Sequence, residues 1–520
     1  MAVNTPNAGH AGETAPGKPQ SVARSAGTVG LFTMVSRFGG LFRDAVFANL
    51  FGAGTASDAY LMAFTIPNTF RTLVAEGSLT VAFLPVFREA EKAEGPDAGR
   101  RLLAQALVIF PGFAALLAGL AILYAEPLVT LFASGFQEIP GKFELTVRLT
   151  RSTVAYLPLV SAGARAMGAL NARRHFATSA AAPALFNLTV ITGLFLTGAL
   201  NPDLGAARAQ SDAIVFVAWA VVAGGGSQIV LQLYGLQRAG LSTWPAPRLS
   251  PRVLRIAALM VPAVGALAVY QLNILIVRNL ASSLPEGAVT SLFYADRFFQ
   301  LPLGVFGIAI ATASLPALAD AHLEGGSASL LKTLRGSLVL NAWIAAPATA
   351  GVMVRALPVC ATVLQHGAFG HDRAIATSQV LLCLAPGLLA VASLRVVSQA
   401  FFSIQDTRTP VACSALGVSV HLTLAPWLAG DMGAAGLALS LSASAWLQLA
   451  AQMIFLRVRL GMPLGLLSSS RRAVRAILAS VPMALVAYAV AVLGRWSDGL
   501  TARNGAVLLL AVSLGGASYG

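Results

Sequence analysis

SRFGGLFRDAVFANLFGAGTASDAYLMAFTIPNTFRTLVAEGSLTVAFLPVF, residues 36–87, reads as two apolar spans joined at a small polar turn, each carrying charge where a bilayer-buried helix normally has none. The first span holds Arg37, Arg43 and Asp44; the second holds Asp58, Asn68, Arg71 and Glu76. An arginine at the bilayer centre costs roughly 2.5–3.5 kcal/mol on insertion scales and persists where it faces a wet cavity or a partner. At about 100° per residue, Arg37 and Asp44 nearly coincide around a helix and Arg43 lies about 120° from Arg37. All three therefore fit one third of the helix surface. Pro67 removes a backbone donor and can kink the second span, which would turn Arg71 toward a bundle axis.

The rest of the chain agrees with a membrane reading. Its 520 residues are 56% hydrophobic and 11% charged, with mean hydropathy +0.74, against about 25% charged in ordinary soluble domains. Apolar runs fall at 28–50, 59–87, 102–132, 147–171, 179–200, 213–235, 253–281, 288–319, 331–357, 374–402, 409–429, 433–456, 472–494 and 504–520. Each is near the roughly 20 residues that cross a bilayer, and none shows the ten-residue alternation of a barrel strand. The fold class expected is an all-α polytopic membrane protein with about 14 transmembrane helices. Residues 1–25 are polar, rich in Pro and Gly, lack the apolar core of a signal peptide, and read as a disordered tail.

The net charge of +14 would suggest nucleic acid in a soluble domain. No such domain exists here, so the basic residues are read as cytoplasmic loops and no nucleic-acid partner is expected. One set of loops holds Arg88, Lys92, Arg100 and Arg101; Arg173 and Arg174; Arg238, Arg248, Arg252 and Arg255; Lys332 and Arg335; Arg408; and Arg457 to Arg475. The alternate loops, such as FGAGTASDA, SSLPEGA and QHGAFGHD, are poor in Lys and Arg. With an even number of spans, both termini are expected in the cytoplasm. Three cysteines and six histidines follow no metal-ligand spacing, and no nucleophile elbow or phosphate loop is present. Neither metal, cofactor nor enzyme activity is expected.

An internal repeat emerges from the prolines. Span two carries Pro67 and Pro85, span eight carries Pro302 and Pro316; Pro158 precedes Pro183 much as Pro386 precedes Pro410. Six spans per half make a parallel repeat about an axis along the membrane normal. The expected units are 26–235 and 236–457 as two six-helix lobes, followed by a helix pair at 458–520. Span eight adds Tyr294, Arg297 and Gln300 on one face, and span ten adds Arg395 and Gln399. Local ion pairing (Arg43 with Asp44 or Asp58, Arg71 with Glu76, Arg297 with Asp296) would explain part of this charge. Arginine nevertheless exceeds acid in spans one, two and eight, which favours a cavity receiving an anion, since guanidinium forks hold phosphate oxygens bidentately. For Arg165, Arg278 and Arg355 the expectation is snorkelling to an interface.

At these residues the sequence resembles the MurJ/MviN lipid II flippases, within the group that includes multidrug and polysaccharide exporters. The matching stretches are residues 36–87, YADRFFQLPLGVFGIAIATASLPALA and FFSIQDTRTP. The resemblance implies two pseudo-symmetric lobes around a central cavity, with the last two helices forming a groove for a lipid tail. It implies an undecaprenyl-diphosphate-linked peptidoglycan precursor as cargo, carried outward across the cytoplasmic membrane by alternating access. It implies Arg37, Arg43, Arg71 and Arg297 as cavity arginines and Asp58 and Glu76 as functional acids. Membrane lipids and cell-wall synthesis proteins are the partners it suggests, for a monomer. Gln300 and Thr72 depart from residues seen in some members. Competing readings are a multidrug antiporter, which would need an acidic cavity, a polysaccharide flippase, and a non-transporting membrane scaffold.

Overall fold

The computed structural model describes residues 19–73, 82–173, 175–204, 207–241, 246–304, 308–462 and 466–519, and no strand occurs among them. Span one is α1 (Pro19–Phe51). Its helix includes residues 19–25, which the sequence placed in a disordered tail. A proline is tolerated at a first helical position, where its missing N–H is not needed. Span two divides into α2 (Thr55–Arg71) and α3 (Leu84–Glu94), span three into α4 (Pro96–Leu123) and α5 (Ala125–Ala133), and span four into α6 (Lys142–Thr153) and α7 (Tyr156–Ala172). Spans five and six are α8 (Phe176–Leu200) and α9 (Ala207–Arg238).

The second half repeats this pattern. After α10 (Pro251–Ser282), span eight is α11 (Ala288–Pro302) and the start of α12 (Ile308–Val354). Span nine is the remainder of α12, beyond non-helical Gly325 and Gly326, followed by α13 (Ala356–Leu364). Span ten divides into α14 (His371–Leu384) and α15 (Gly387–Ser403); α16 (Arg408–Met432) and α17 (Ala434–Leu460) complete the half. Then come α18 (Leu466–Ala491) and α19 (Ala502–Ala517). The same three spans are broken in each half. Seven of the described helices are alone long and apolar enough to cross a membrane, and α14 with α15 qualifies as a pair bent by 41°. Of the rest, α1 has 33 residues and α10 has 32, and α19 is a shorter apolar helix.

Packing explains where a cavity forms. One large apolar cluster draws on both halves, from Phe47, Phe51 and Tyr60 to Tyr294, Phe298, Phe369 and Leu388. These residues lie toward the face bearing the Lys- and Arg-poor loops. Toward the basic-loop face the cores separate, one around Phe83, Phe87, Leu103 and Leu170, the other around Leu318, Leu331, Val397 and Phe401. Helices joined at one end and parted at the other leave a space between them. Contacts among loops keep the two faces distinct: Gln365 Nε2 donates to the Ser497 carbonyl at 2.7 Å on one, and Arg173 pairs with Glu91 at 2.6 Å on the other.

Helix α10 follows the first half in sequence yet is fastened to it. Arg252 pairs with Glu94, and Arg255 with Glu89 at 2.9 Å. At the other end Asn279 Oδ1 accepts from the Ser134 hydroxyl at 3.2 Å, and the Gly135 N–H donates to Ser282 Oγ at 3.1 Å. Both ends of α10 are thus fastened to the first half.

Candidate functional site: a cationic cavity between the halves

Where the cores part, α1, α8, α11 and α15 enclose a cavity of about 380 Å³ whose wall includes Arg37, Arg43, Asp44, Asn187, Arg297 and Arg395. Four arginines face one carboxylate. Asp44 is buried at 6% exposure and shared. Its Oδ1 accepts from Arg43 Nε at 3.0 Å and Nη2 at 2.6 Å, while its Oδ2 faces Arg297 Nε at 3.2 Å. One acid therefore bridges an arginine from each half. Arg43 Nη1 also donates to Asn187 Oδ1 at 3.1 Å, and Asn187 Nδ2 donates to the Ser36 carbonyl at 2.9 Å, which stitches α8 to α1.

Arg37 forms no ion pair with any described residue. Its guanidinium lies across Gly304, where an added Cβ would overlap it. Arg297 also stacks over the Phe293 ring at 4.8 Å. Asp296, its neighbour in sequence, instead accepts from Gln300 Nε2 at 2.5 Å. The Arg43–Asp44 pairing foreseen from sequence forms; an Arg297–Asp296 pair does not, because Arg297 turns to Asp44 while Asp296 takes Gln300 one helical turn on. Guanidiniums in excess of acid leave this wall with net positive charge, and their forked donors are of the kind that hold an anion with several oxygens.

Other sequence candidates lie elsewhere. Arg71 is off this cavity wall, with Nε donating to Asn68 Oδ1 at 3.0 Å. Glu76 lies outside the described residues. Asp58 is 1% exposed and sits in the closed face, not on the cavity wall. Its Oδ2 accepts from Lys142 Nζ at 2.9 Å and the Gly287 N–H at 2.8 Å. Its Oδ1 accepts from the Thr290 N–H at 2.9 Å and the Thr290 hydroxyl at 2.6 Å. A carboxylate from α2 thus caps the N-terminus of α11 across the interface between halves, favoured by the dipole there. Arg165, expected to snorkel, is 1% exposed; it donates from Nη1 to Ser161 Oγ at 3.1 Å and lies 4.6 Å from the Phe110 ring centre.

Around Asp58 the halves are shut. The Thr55 hydroxyl donates to Glu286 Oε1 at 2.7 Å, joined by the Thr55 N–H. These hydrogen bonds, with Lys142 and Arg373 nearby, hold the Glu286 carboxyl below its ordinary value of 4.5. The Ala368 N–H donates to the Asn49 carbonyl at 2.9 Å, and Tyr294 meets Phe369 edge to face. Sequence reading missed Asn187, Lys142 and Gly304. Lys142 had a signal: it is the single lysine of an otherwise Lys- and Arg-poor loop. Asn187 stood out only as an amide in an apolar run, and nothing local marks Gly304.

A family model described as "Lipid II flippase MurJ" matches residues 47–512. Among curated relatives, a probable lipid II flippase MurJ of Rhizobium meliloti (strain 1021) is 34% identical over 431 residues, covering 82% of this chain and 79% of its own. A lipid II flippase MurJ of Burkholderia cenocepacia is 33% identical over 440 residues, covering 83% of each. Among solved structures, a lipid II flippase MurJ in an inward closed conformation superposes with TM-score 0.76 at 22% identity, covering 94% of this chain and 96% of that one. An inward-facing multidrug resistance transporter of the MATE family gives TM-score 0.67 at 14% identity, over 84% and 98%. The two structures share the fold.

Proposed function

Because the chain belongs to the lipid II flippase MurJ family, we propose that it carries the undecaprenyl-diphosphate-linked peptidoglycan precursor through the cavity between its halves, from the cytoplasmic to the periplasmic leaflet. It is a transporter, not an enzyme. The observation that carries the reading is the wall with four arginines and one carboxylate. Arg37, Arg43 and Arg297 grip the diphosphate, with Arg395 on the same wall, while the prenyl tail stays in lipid. Headgroup passage through hydrocarbon, where unpaired polar groups cost several kcal/mol each, is avoided. Arg71 and Glu76 act further along span two, and Asp58 and Glu286 latch the periplasmic face during loading.

The moving bodies are residues 26–235 and 236–457, with 458–520 as an appended pair, and they rock in alternating access. The protein acts as a monomer in the cytoplasmic membrane. Both termini face the cytoplasm, which the basic loops support, and cell-wall synthesis proteins receive its product.

The test is complementation of a depleted strain by Arg37→Ala and Arg297→Ala. Both variants are expected to reach the membrane at the normal level, to fail in rescue, and to let the lipid-linked precursor build up in the inner leaflet. Full rescue by both would sink the clamp.

A further inference from the structure

Arg355 sits at the break between α12 and α13, with φ −105 and ψ 14. Its counterpart in the first half is Tyr124, at the break between α4 and α5, with φ −102 and ψ 33. Nine-residue helices follow both breaks, Ala356–Leu364 and Ala125–Ala133. The repeat therefore puts the two side chains at the same depth. Tyr124 is 63% exposed, the placement of an interfacial tyrosine, whose ring and hydroxyl suit the headgroup boundary. Arg355 stands at that level on the periplasmic side, but under a cover that the first half lacks.

The cover is the appended helix pair. The Arg355 guanidinium lies against Gly351 of α12, Met483 of α18 and Gly515 of α19: Nη1 and Nη2 come within 3.6 and 3.7 Å of a Cβ placed at Gly351, and Nη2 within 3.0 Å of one at Gly515. Met483 is 5% exposed and closes the slot. Arg355 Nε is shielded from solvent and lacks a hydrogen-bond partner, and no acid pairs with Arg355 among the described residues. An arginine at membrane depth without a protein counter-charge calls for one from the surroundings, and at headgroup level the available anions are lipid phosphates. One guanidinium matches the single charge of a phosphodiester. A diphosphate carries more charge, and its match is the four-arginine wall.

We propose that Arg355, held in the slot between α12, α18 and α19, binds the phosphodiester of an anionic phospholipid in the periplasmic leaflet. The appended pair then docks on the second half partly through that lipid. The site rests on the transporter reading only for its orientation, and it is separate from the cargo cavity.

The experiment is native mass spectrometry of the full chain, titrated with phosphatidylglycerol or with undecaprenyl diphosphate. Arg355→Gln is expected to weaken phosphatidylglycerol binding about tenfold, the loss of one charge-assisted hydrogen-bonded contact, and to leave undecaprenyl diphosphate binding unchanged. Arg355→Lys is expected to keep most of the phospholipid affinity. Gly515→Val, which fills the slot without touching the charge, should reproduce the Gln phenotype. Unchanged phosphatidylglycerol binding in Arg355→Gln overturns the proposal, as does a loss confined to undecaprenyl diphosphate, which would make the slot a cargo subsite. Arg37→Gln in parallel should weaken only the diphosphate; if it does not, the cavity reading fails while the Arg355 arm still decides the phospholipid site.

Discussion

Asp58 accepts four hydrogen bonds in a place sealed from solvent. With Lys142 equally buried at 1% side-chain exposure, the pair survives because every oxygen lone pair that matters has a donor. Such a pair is cheap to keep and costly to halve. Asp58→Asn leaves the ammonium of Lys142 without its counter-charge and places an amide N–H₂ among donors. A loss of about 3–5 kcal/mol is expected, read as a fall in the thermal midpoint of the purified protein. Lys142→Met leaves three donors on the carboxylate and should cost less. The double variant should recover part of the Asp58→Asn loss; strictly additive losses would show that the two side chains do not act together. Helical periodicity correctly flagged Asp58 as an acid out of place in an apolar span. It could not supply the partners, which lie 84 and 232 residues away. The same limit separates Arg43, whose acid is its neighbour, from Arg297, whose acid comes from α1.

At the level of helices, the spans were legible because apolar runs of bilayer length have one stable backbone solution in lipid, and the prolines marked the repeat. That spans three and nine divide at Tyr124 and Arg355 was not read from the sequence, although Pro127 and Pro358 each stand three residues past the break and cannot donate to the carbonyls of Leu123 and Val354; Pro302 likewise closes α11 and Pro386 precedes α15. Nor could sequence order reveal that α10 is fastened at both ends to the half that precedes it. Two glycines test how the helices use close approach. A Cβ at Gly304 meets the far end of the flexible Arg37 side chain, whereas at Gly52, where φ is +62, it meets the backbone carbonyl of Ala368. Gly304→Ala should therefore change stability by no more than about 0.5 kcal/mol and yet cut transport, by pushing Arg37 off its place on the cavity wall. Gly52→Ala combines a left-handed backbone with an immovable neighbour and should cost about 1–3 kcal/mol. Thermal unfolding and a flipping assay on both variants check the contrast, and a destabilised Gly304→Ala would break it.

For the whole molecule, one core is shared at the end bearing the Lys- and Arg-poor loops and two cores stand apart at the basic-loop end, so alternating access has to exchange which end is shared. That exchange moves charge. The empty wall carries four guanidiniums against Asp44, while the cargo brings a diphosphate that offsets much of the excess. Loaded, the moving region is closer to neutral; empty, it is cationic. Moving one charge through 100 mV is worth about 2.3 kcal/mol, so a fraction of that charge already changes a rate several-fold. The loaded step, being close to neutral, feels the field little, while an inside-negative potential draws the empty cationic cavity inward. The charge moved over a full cycle is the anionic headgroup's, outward, so the potential alone should raise turnover, through the return step, with no chemical gradient across the membrane. In proteoliposomes with the basic loops facing inward, imposing an inside-negative potassium diffusion potential is expected to speed flipping several-fold over the same vesicles at zero potential. Replacing Arg37 with Gln, if residual flipping can be measured, should flatten the voltage response as well as lower the rate. A rate indifferent to the sign of the potential would mean that the arginines bind cargo without their charge crossing any appreciable part of the field.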